Sequence, residues 1–205
     1  MVIPAFDENQ NFLENILRHD AHDLLVILVV NLPVGLDRMN PAIQRTRALL
    51  SLGGIWDRSR NIYISIVDRV SEPIPAHQGV GLARKIGADI ALRLISTGQV
   101  EKNVIYSTDA DVTLPAGYFQ APSGSAAAWI FPYTHKSANS SVAHLGLLYE
   151  LSMRYYVDRL EYARSPYAYH ALGSCLAINA VSYAKVRGFP PRNAAEDFYL
   201  LNKIA

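Results

Sequence analysis

A chain of 205 residues, half of them hydrophobic and 18% charged, has the size and composition of one globular domain rather than a disordered segment. Nineteen basic residues stand against eighteen acidic ones, a net charge of +1 that leaves no basic footprint for nucleic acid. The one cysteine, Cys175, excludes an internal disulfide and fits a reducing compartment; its residue type predicts a small buried hydrophobe.

The first half alternates strand and helix patterns. Val2 to Ala5 reads as a short apolar strand, followed by a helical stretch with Phe12, Leu13, Ile16 and Leu17 on one face. Leu24 to Val30 is a continuous apolar run of the kind buried in a parallel sheet. Asn40 as cap and Pro41 in the first turn open a helix to Leu52. Asn61 to Val67 is the third strand, alternating Ile62, Ile64 and Ile66 with Tyr63, Ser65 and Val67. Gly79 to Ile95 is a helix with Val80, Ala83, Ile86, Ile90 and Leu94 as its expected apolar stripe, and Asn103 to Ser107 is the fourth strand. This rhythm predicts an α/β fold with a mostly parallel central sheet and helices on both faces.

Beyond Asp111 the pattern changes. Pro115, Pro122, Ser123, Gly124 and Ser125 mark loops around a strand expected from Ala126 to Phe131. A long helix is predicted from about Ser140 to Ala163, with Leu145, Leu148, Tyr149, Met153, Tyr156 and Leu160 as its apolar face and its tyrosines read mainly as packing. A short apolar segment (Ala171 to Ile178), a helix near Val181 to Val186 and a helix from about Ala195 follow. No secretory signal is seen, and Leu24 to Val30 falls far short of the roughly 20 residues that span a bilayer. The short first strand and uncapped last helix predict a single domain, 1–205, cut from a longer protein.

Ligands of open parallel sheets sit beyond the carboxyl ends of the strands. Strand one delivers Phe6-Asp7-Glu8-Asn9, strand two Asn31, and strand four Asp109 and Asp111 in a D-x-D spacing. On an extended segment the two carboxylates face one point, where a hard divalent cation with open positions for phosphate can sit; an ordinary turn is the bland reading of the same three residues. Gly79-Val-Gly81 at the start of the third-strand helix permits close approach of a phosphate, and Arg84 one turn on is placed to clamp a diphosphate. The spacing lacks the third glycine of a dinucleotide fingerprint and follows the wrong strand for one. Glu196-Asp197 opens the last helix, where acidic residues suit the dipole and a carboxylate can also accept a proton from an attacking hydroxyl. The histidines have bland readings: His135 and His170 as loop or half-buried residues near the acceptor side, His77 and His144 without a partner at ligand spacing.

Val2-Ile-Pro4-Ala5-Phe6-Asp-Glu8-Asn resembles the V-I-P-A-Y-N-E opening of family 2 glycosyltransferases, which have the GT-A fold. Gly81-Leu-Ala-Arg84-Lys85-Ile-Gly87 is similar to their G-x-A-x-A-R-N-x-G segment, and Ser107-Thr-Asp109-Ala-Asp111 with Leu114-Pro115 and Tyr118-Phe119 to their D-x-D and trailing L-P-x-x-F. Gly173-Ser174, Arg187-Gly-Phe-Pro and Glu196-Asp197-Phe resemble the acceptor-side loop and E-D motif. The matches run in the family's order across the chain, dividing it into a nucleotide-sugar-binding half (1–112) and an acceptor-side half (113–205).

The resemblance implies a metal-dependent inverting transfer from a nucleotide-diphospho-sugar, expected to be a UDP-sugar, to a hydroxyl acceptor such as a carbohydrate. Pro4, Ala5, Phe6 and Glu8 would hold the base and ribose, Asn31 would stand at the base, and Arg84 would approach the diphosphate. Asp109 would contact ribose or metal, and Asp111 would ligate Mn²⁺ or Mg²⁺. Asp197 would be the general base, with Glu196 supporting acceptor or metal contacts. The expected setting is cytoplasmic, with a peripheral seat on the inner face of a membrane left open. The chain departs from the family pattern at Asn31-Leu-Pro-Val, where an acidic base-binding residue is usual, and at Lys85, where Asn is common. A nucleotide-sugar-binding relative without transferase activity is the alternative. A nucleotidyltransferase shares the architecture but would carry a Gly-rich basic loop straight after strand one, which Phe6-Asp-Glu-Asn is not.

Overall fold

The computed structural model describes residues 1–18, 21–37, 39–120, 125–137 and 139–205. Its centre is a seven-stranded sheet built from β1 (Val2–Ala5), β2 (Leu24–Pro33), β3 (Gly54–Asp57), β4 (Ile62–Ile74), β5 (Val104–Ser107), β6 (Ala128–Ile130) and β7 (Leu176–Asn179), in the order β3-β4-β2-β1-β5-β7-β6. β4, β2, β1 and β5 are parallel neighbours, whereas β3, β7 and β6 join by antiparallel pairing. Five strands therefore run one way, with β3 and β7 reversed.

Helices cover both faces, as the alternation of patterns predicts. α1 (Phe12–Ile16) and α2 (Pro41–Ala48), the latter extended by a 3₁₀ turn, cover one face through Phe12, Leu13, Ile16, Ile43 and Leu49. α3 (Gly79–Ser96), α5 (Ala180–Lys185) and α6 (Glu196–Ile204) cover the other through Ala83, Ala88, Ala91, Tyr183, Leu200 and Leu201. The apolar run of β2 splits between these two cores, Val26, Leu28 and Val30 on the first and Ile27 and Val29 on the second, which is why it shows no polar alternation. Asn40 caps α2 as expected, its side chain accepting from the Ala42 N–H at 3.0 Å.

Three elements differ in kind from the sequence expectations, and β4 runs on to Ile74, past its expected end at Val67. β3 has no counterpart among the expected strands: Gly54-Ile-Trp-Asp is a four-residue edge strand paired with β4, and Ile55 lies exposed on it. On α3 the buried stripe is made of small residues, with Val80, Ile86, Ile90 and Leu94 only half-buried at its flanks. The helix seats directly on the sheet, and a Cβ on Gly87 would fall 2.4 Å from Val2 Cγ1. α4 (Ser140–Tyr162) buries none of its residues, and Leu145, Leu148, Tyr149 and Tyr156 of the predicted core face are exposed. Its apolar residues encircle the helix, so periodicity does not single out an inward side. The loop signals at Pro122, Ser123 and Gly124 lie outside the described residues. Among the described residues, no helix is long and apolar enough to cross a membrane.

Candidate functional site

The carboxyl ends of β1, β2, β4 and β5 lie along one edge of the sheet, and the acidic residues of the first and fourth predicted strands meet there. After β1 the chain turns through Asp7 in the left-handed region (φ 61°), a conformation Asp tolerates better than most residues. The turn is fixed by the Asp7 N–H donating to Thr46 Oγ1 at 2.9 Å and by an ion pair of the Asp7 carboxylate with Arg45 of α2. Glu8 follows, half-buried. Burial foremost, and then the negative charges of Asp111, Asp7 and Asp109, push its carboxyl above the ordinary range. Four carboxylates thus share one field.

Asp109 and Asp111 lie past the end of β5 in a turn rather than on extended chain, so the argument from strand alternation does not place them. Ala110 between them is buried, Asp109 is partly exposed and Asp111 is exposed.

Behind this edge lies Arg84, only 3% exposed. Its Nε donates to Glu196 Oε1 at 2.8 Å, and its Nη1 to Ser107 Oγ at 2.9 Å, the Gly173 carbonyl at 3.1 Å and the Thr108 carbonyl at 3.4 Å. Its Nη2 pairs with Asp109. Ser107 Oγ donates in turn to the Gly173 carbonyl at 2.9 Å. One guanidinium therefore ties β5, the Gly173 turn and the start of α6 together. Gly173 lies flat on it: a Cβ there would fall 2.7 Å from Nη2.

This arrangement changes the roles expected of three motifs. Arg84 does not reach outward to a diphosphate; every nitrogen of its guanidinium is engaged by protein oxygens. Glu196 is buried at 4% in the ion pair with Arg84, not turned to an acceptor. The glycines opening α3 cradle protein rather than phosphate. A Cβ on Gly81 would fall 2.5 Å from the Arg192 carbonyl and 2.6 Å from that of Pro190, and the Gly81 N–H donates to the Arg192 carbonyl at 2.8 Å. Pro4 and Ala5 are likewise buried in β1, so only the backbone of that segment and the partly exposed Phe6 and Glu8 border the edge.

Asp197 occupies the first turn of α6, partly exposed, with its Oδ1 accepting from the Phe198 N–H at 2.7 Å. The helix starts from Ala195 in the left-handed region (φ 60°), which turns the chain sharply from the Pro190–Asn193 loop into α6. Asn31, at the carboxyl end of β2, carries a buried Oδ1 with no hydrogen-bond partner. Its register neighbour on β4 is Arg69, whose Nε is also buried and unpartnered. Buried polar atoms are rarely left so, and a ligand bearing both a donor and an acceptor would satisfy the two. Arg69 and Ser107 carry no motif; Ser107 ends β5, and Arg69 lies within β4, past the expected end of that strand at Val67.

On the acceptor side, Tyr133 Oη lies 3.4 Å from His170 Nδ1, and burial pushes the Tyr133 hydroxyl up. His135 meets Glu150 at 3.0 Å and fastens its loop to α4, in keeping with a loop role. Cys175 is half-buried, and burial raises its thiol. The pocket between that loop and α4, lined by Lys136, Val142, Leu145 and Tyr149 among others, is separate from the carboxylate edge.

Among the described residues, no three His, Cys, Asp or Glu side chains stand close enough to hold a metal by themselves. The donors at the edge are carboxylate oxygens, which suit Mg²⁺ or Mn²⁺. Asp109 is already paired with Arg84, so a cation there would draw on Asp111 and the free side of Asp109, with water or phosphate oxygens supplying the rest of its shell.

The sign of the Glu8 shift makes a prediction. A carboxyl with a raised folded pKa favours the fold below its unfolded value, near 4.5, and that stability is lost as pH rises through the folded value. Glu8→Gln should therefore raise the melting temperature at pH 7, with the gain vanishing below pH 4. Melting both proteins at each pH isolates Glu8 together with its coupling to Asp7, Asp109 and Asp111, because carboxylates away from the rim contribute equally to the two.

The fold and edge define an α/β protein with a carboxylate-lined rim at the carboxyl ends of its parallel strands. No family model, no curated protein and no solved structure matches the chain.

Proposed function

We propose that the protein is a metal-dependent, inverting glycosyltransferase of the GT-A kind, moving a sugar from a nucleotide-diphospho-sugar to a hydroxyl acceptor. One observation carries the reading. The D-x-D and E-D segments, far apart in the chain and recognised independently in the sequence, are bound to each other through Arg84, which pairs with Asp109 on one side and Glu196 on the other. Such a link serves a reaction that needs both segments held in one place.

In this reading the donor base lies at the end of β2, where the unpartnered Asn31 Oδ1 accepts an N–H from the base. Asp109 and Asp111 hold Mn²⁺ or Mg²⁺, with Glu8 beside them. When bound, that cation neutralises the charge growing on the nucleoside diphosphate as it departs. Asp197 accepts the proton of the acceptor hydroxyl while the hydroxyl oxygen bonds to the anomeric carbon. The bond from that carbon to the diphosphate oxygen breaks on the opposite side, and the sugar's configuration inverts. Arg84 and Glu196 touch neither substrate. They hold the D-x-D turn and the first turn of α6 in register. UDP is the expected nucleotide, on the strength of the family resemblance.

A second reading, a donor-binding protein without transfer, is favoured by one fact: Asn31 stands where the family pattern has an acid. Both readings are tested by calorimetric titration of UDP, GDP and dTDP with and without Mn²⁺, followed by turnover of UDP-sugars. UDP should bind only with Mn²⁺ present, and Asp111→Ala should abolish the metal-dependent part. Donor binding without transfer or donor hydrolysis would establish the second reading. Silence of all three nucleotides under both conditions would sink both.

A further inference from the structure

We propose that α4 packs antiparallel against α4 of a second copy of this chain, crossing at Leu151. α4 is turned inside out relative to an ordinary surface helix. The residues facing the rest of the protein, at 143, 146, 150, 153, 157 and 160, include Gly146 and the charged Glu150, and all are only half-buried. The opposite side presents Leu147, Leu148, Leu151, Tyr155 and Tyr162, each between 52% and 84% exposed.

The area fits a homodimer. At roughly 150–250 Å² per aromatic side chain, Tyr155 and Tyr162 leave about 200–350 Å² open. With the leucines the face matches the largest patch of a typical monomer, about 300–600 Å², and approaches the roughly 800 Å² that each partner gives to a standard interface. Helix against helix is the packing such a stripe supports.

The charges choose the occupant. Apart from Glu150, which faces the protein, Arg154 and Arg159 are matched by Asp158 and Glu161, and there is no lysine. A helix lying on an anionic membrane surface carries an excess of basic residues instead. The outward face is instead complementary to itself. About a twofold axis through Leu151, His144 comes opposite Asp158 of the second copy, Leu147 opposite Tyr155, and Leu151 opposite Leu151. The exposed positions 144, 148, 151, 155, 158 and 162 also keep the alternating four-three spacing of a helix–helix seam.

Sedimentation equilibrium or light scattering on the whole chain at micromolar concentration tests this. The expected mass is twice 22.7 kDa. Leu151→Glu sets two carboxylates against each other on the axis and should return the mass to that of one chain. The circular-dichroism spectrum should stay unchanged, because Leu151 is 65% exposed in the single copy. In a Cys175→Ser background, Leu151→Cys should form a cross-linked dimer on mild oxidation, and so should Leu147→Cys mixed with Tyr155→Cys, a pairing that the antiparallel register brings together and a parallel one does not. A wild-type protein that stays at 22.7 kDa, a Leu151→Glu variant that still pairs, or a monomer that instead floats with phosphatidylserine vesicles would each overturn the proposal.

Discussion

Arg84→Met should cost about 3–5 kcal/mol of stability, the range for removing one partner of a buried ion pair. The size follows from what stays behind. Glu196 keeps a charge with only 6% of its side chain exposed, and the Gly173 carbonyl and Ser107 Oγ lose a common donor. A domain of this size holds only about 5–15 kcal/mol in total, so the variant should unfold at a far lower urea midpoint. Arg84→Lys should recover little. An ammonium cannot present the fork that reaches Glu196, Asp109, Ser107 and Gly173 at once. Arg84→Met combined with Glu196→Met should regain much of the loss, because two apolar side chains leave no orphaned charge. A single Arg84→Met variant that melts like wild type would show that the cluster contributes nothing to the fold.

Asp197→Asn should lower the transfer rate by 10²–10⁴-fold, the usual contribution of a general base, while leaving Mn²⁺-dependent UDP binding in place. The substitution is nearly isosteric. The amide oxygen of Asn can still accept from the Phe198 N–H, and the partly exposed site requires no new burial. Unfolding therefore cannot mask the result, which a matched melting curve would verify. Steady-state rates should fall in kcat with little change in donor affinity, the signature of an interaction made in the transition state. Normal turnover would remove Asp197 from the chemistry and move attention to another carboxylate of the rim.

The legible parts of this fold are those where burial is two-sided or alternation is strict. β2 shows itself because both of its faces enter a core, and α2 because Asn40 and Pro41 give it a start signal. β3 stays hidden because an edge strand of four residues with Ile55 in solvent carries too little pattern to separate from a turn. The stripe of α3 misleads for a different reason. Its contact face is chosen by how near the backbone must come to Val2 and Val29, so Gly87 and Ala88 win over Ile86 and Ile90. At the site, the D-x-D and E-D segments are visible as motifs. Their connection through Arg84 is not, because its partner Glu196 lies 112 positions away and no local spacing encodes that distance. The same holds for Gly81, whose absent side chain answers to the Arg192 carbonyl rather than to a ligand.

That long-range clasp also sets a timetable during synthesis. The strands β1, β2, β4 and β5 pair from residues made early, yet Arg84 cannot close on Glu196 until α6 has emerged. At translation speeds of about 5–20 residues per second, roughly five to twenty seconds separate the appearance of Asp109 from that of Glu196. Through that interval the nascent chain has Ser107, Thr108 and Asp109 as partners for Arg84 but lacks Gly173 and then Glu196. The cluster is complete only when Glu196 takes the last nitrogen of Arg84 and joins the two halves of the sequence.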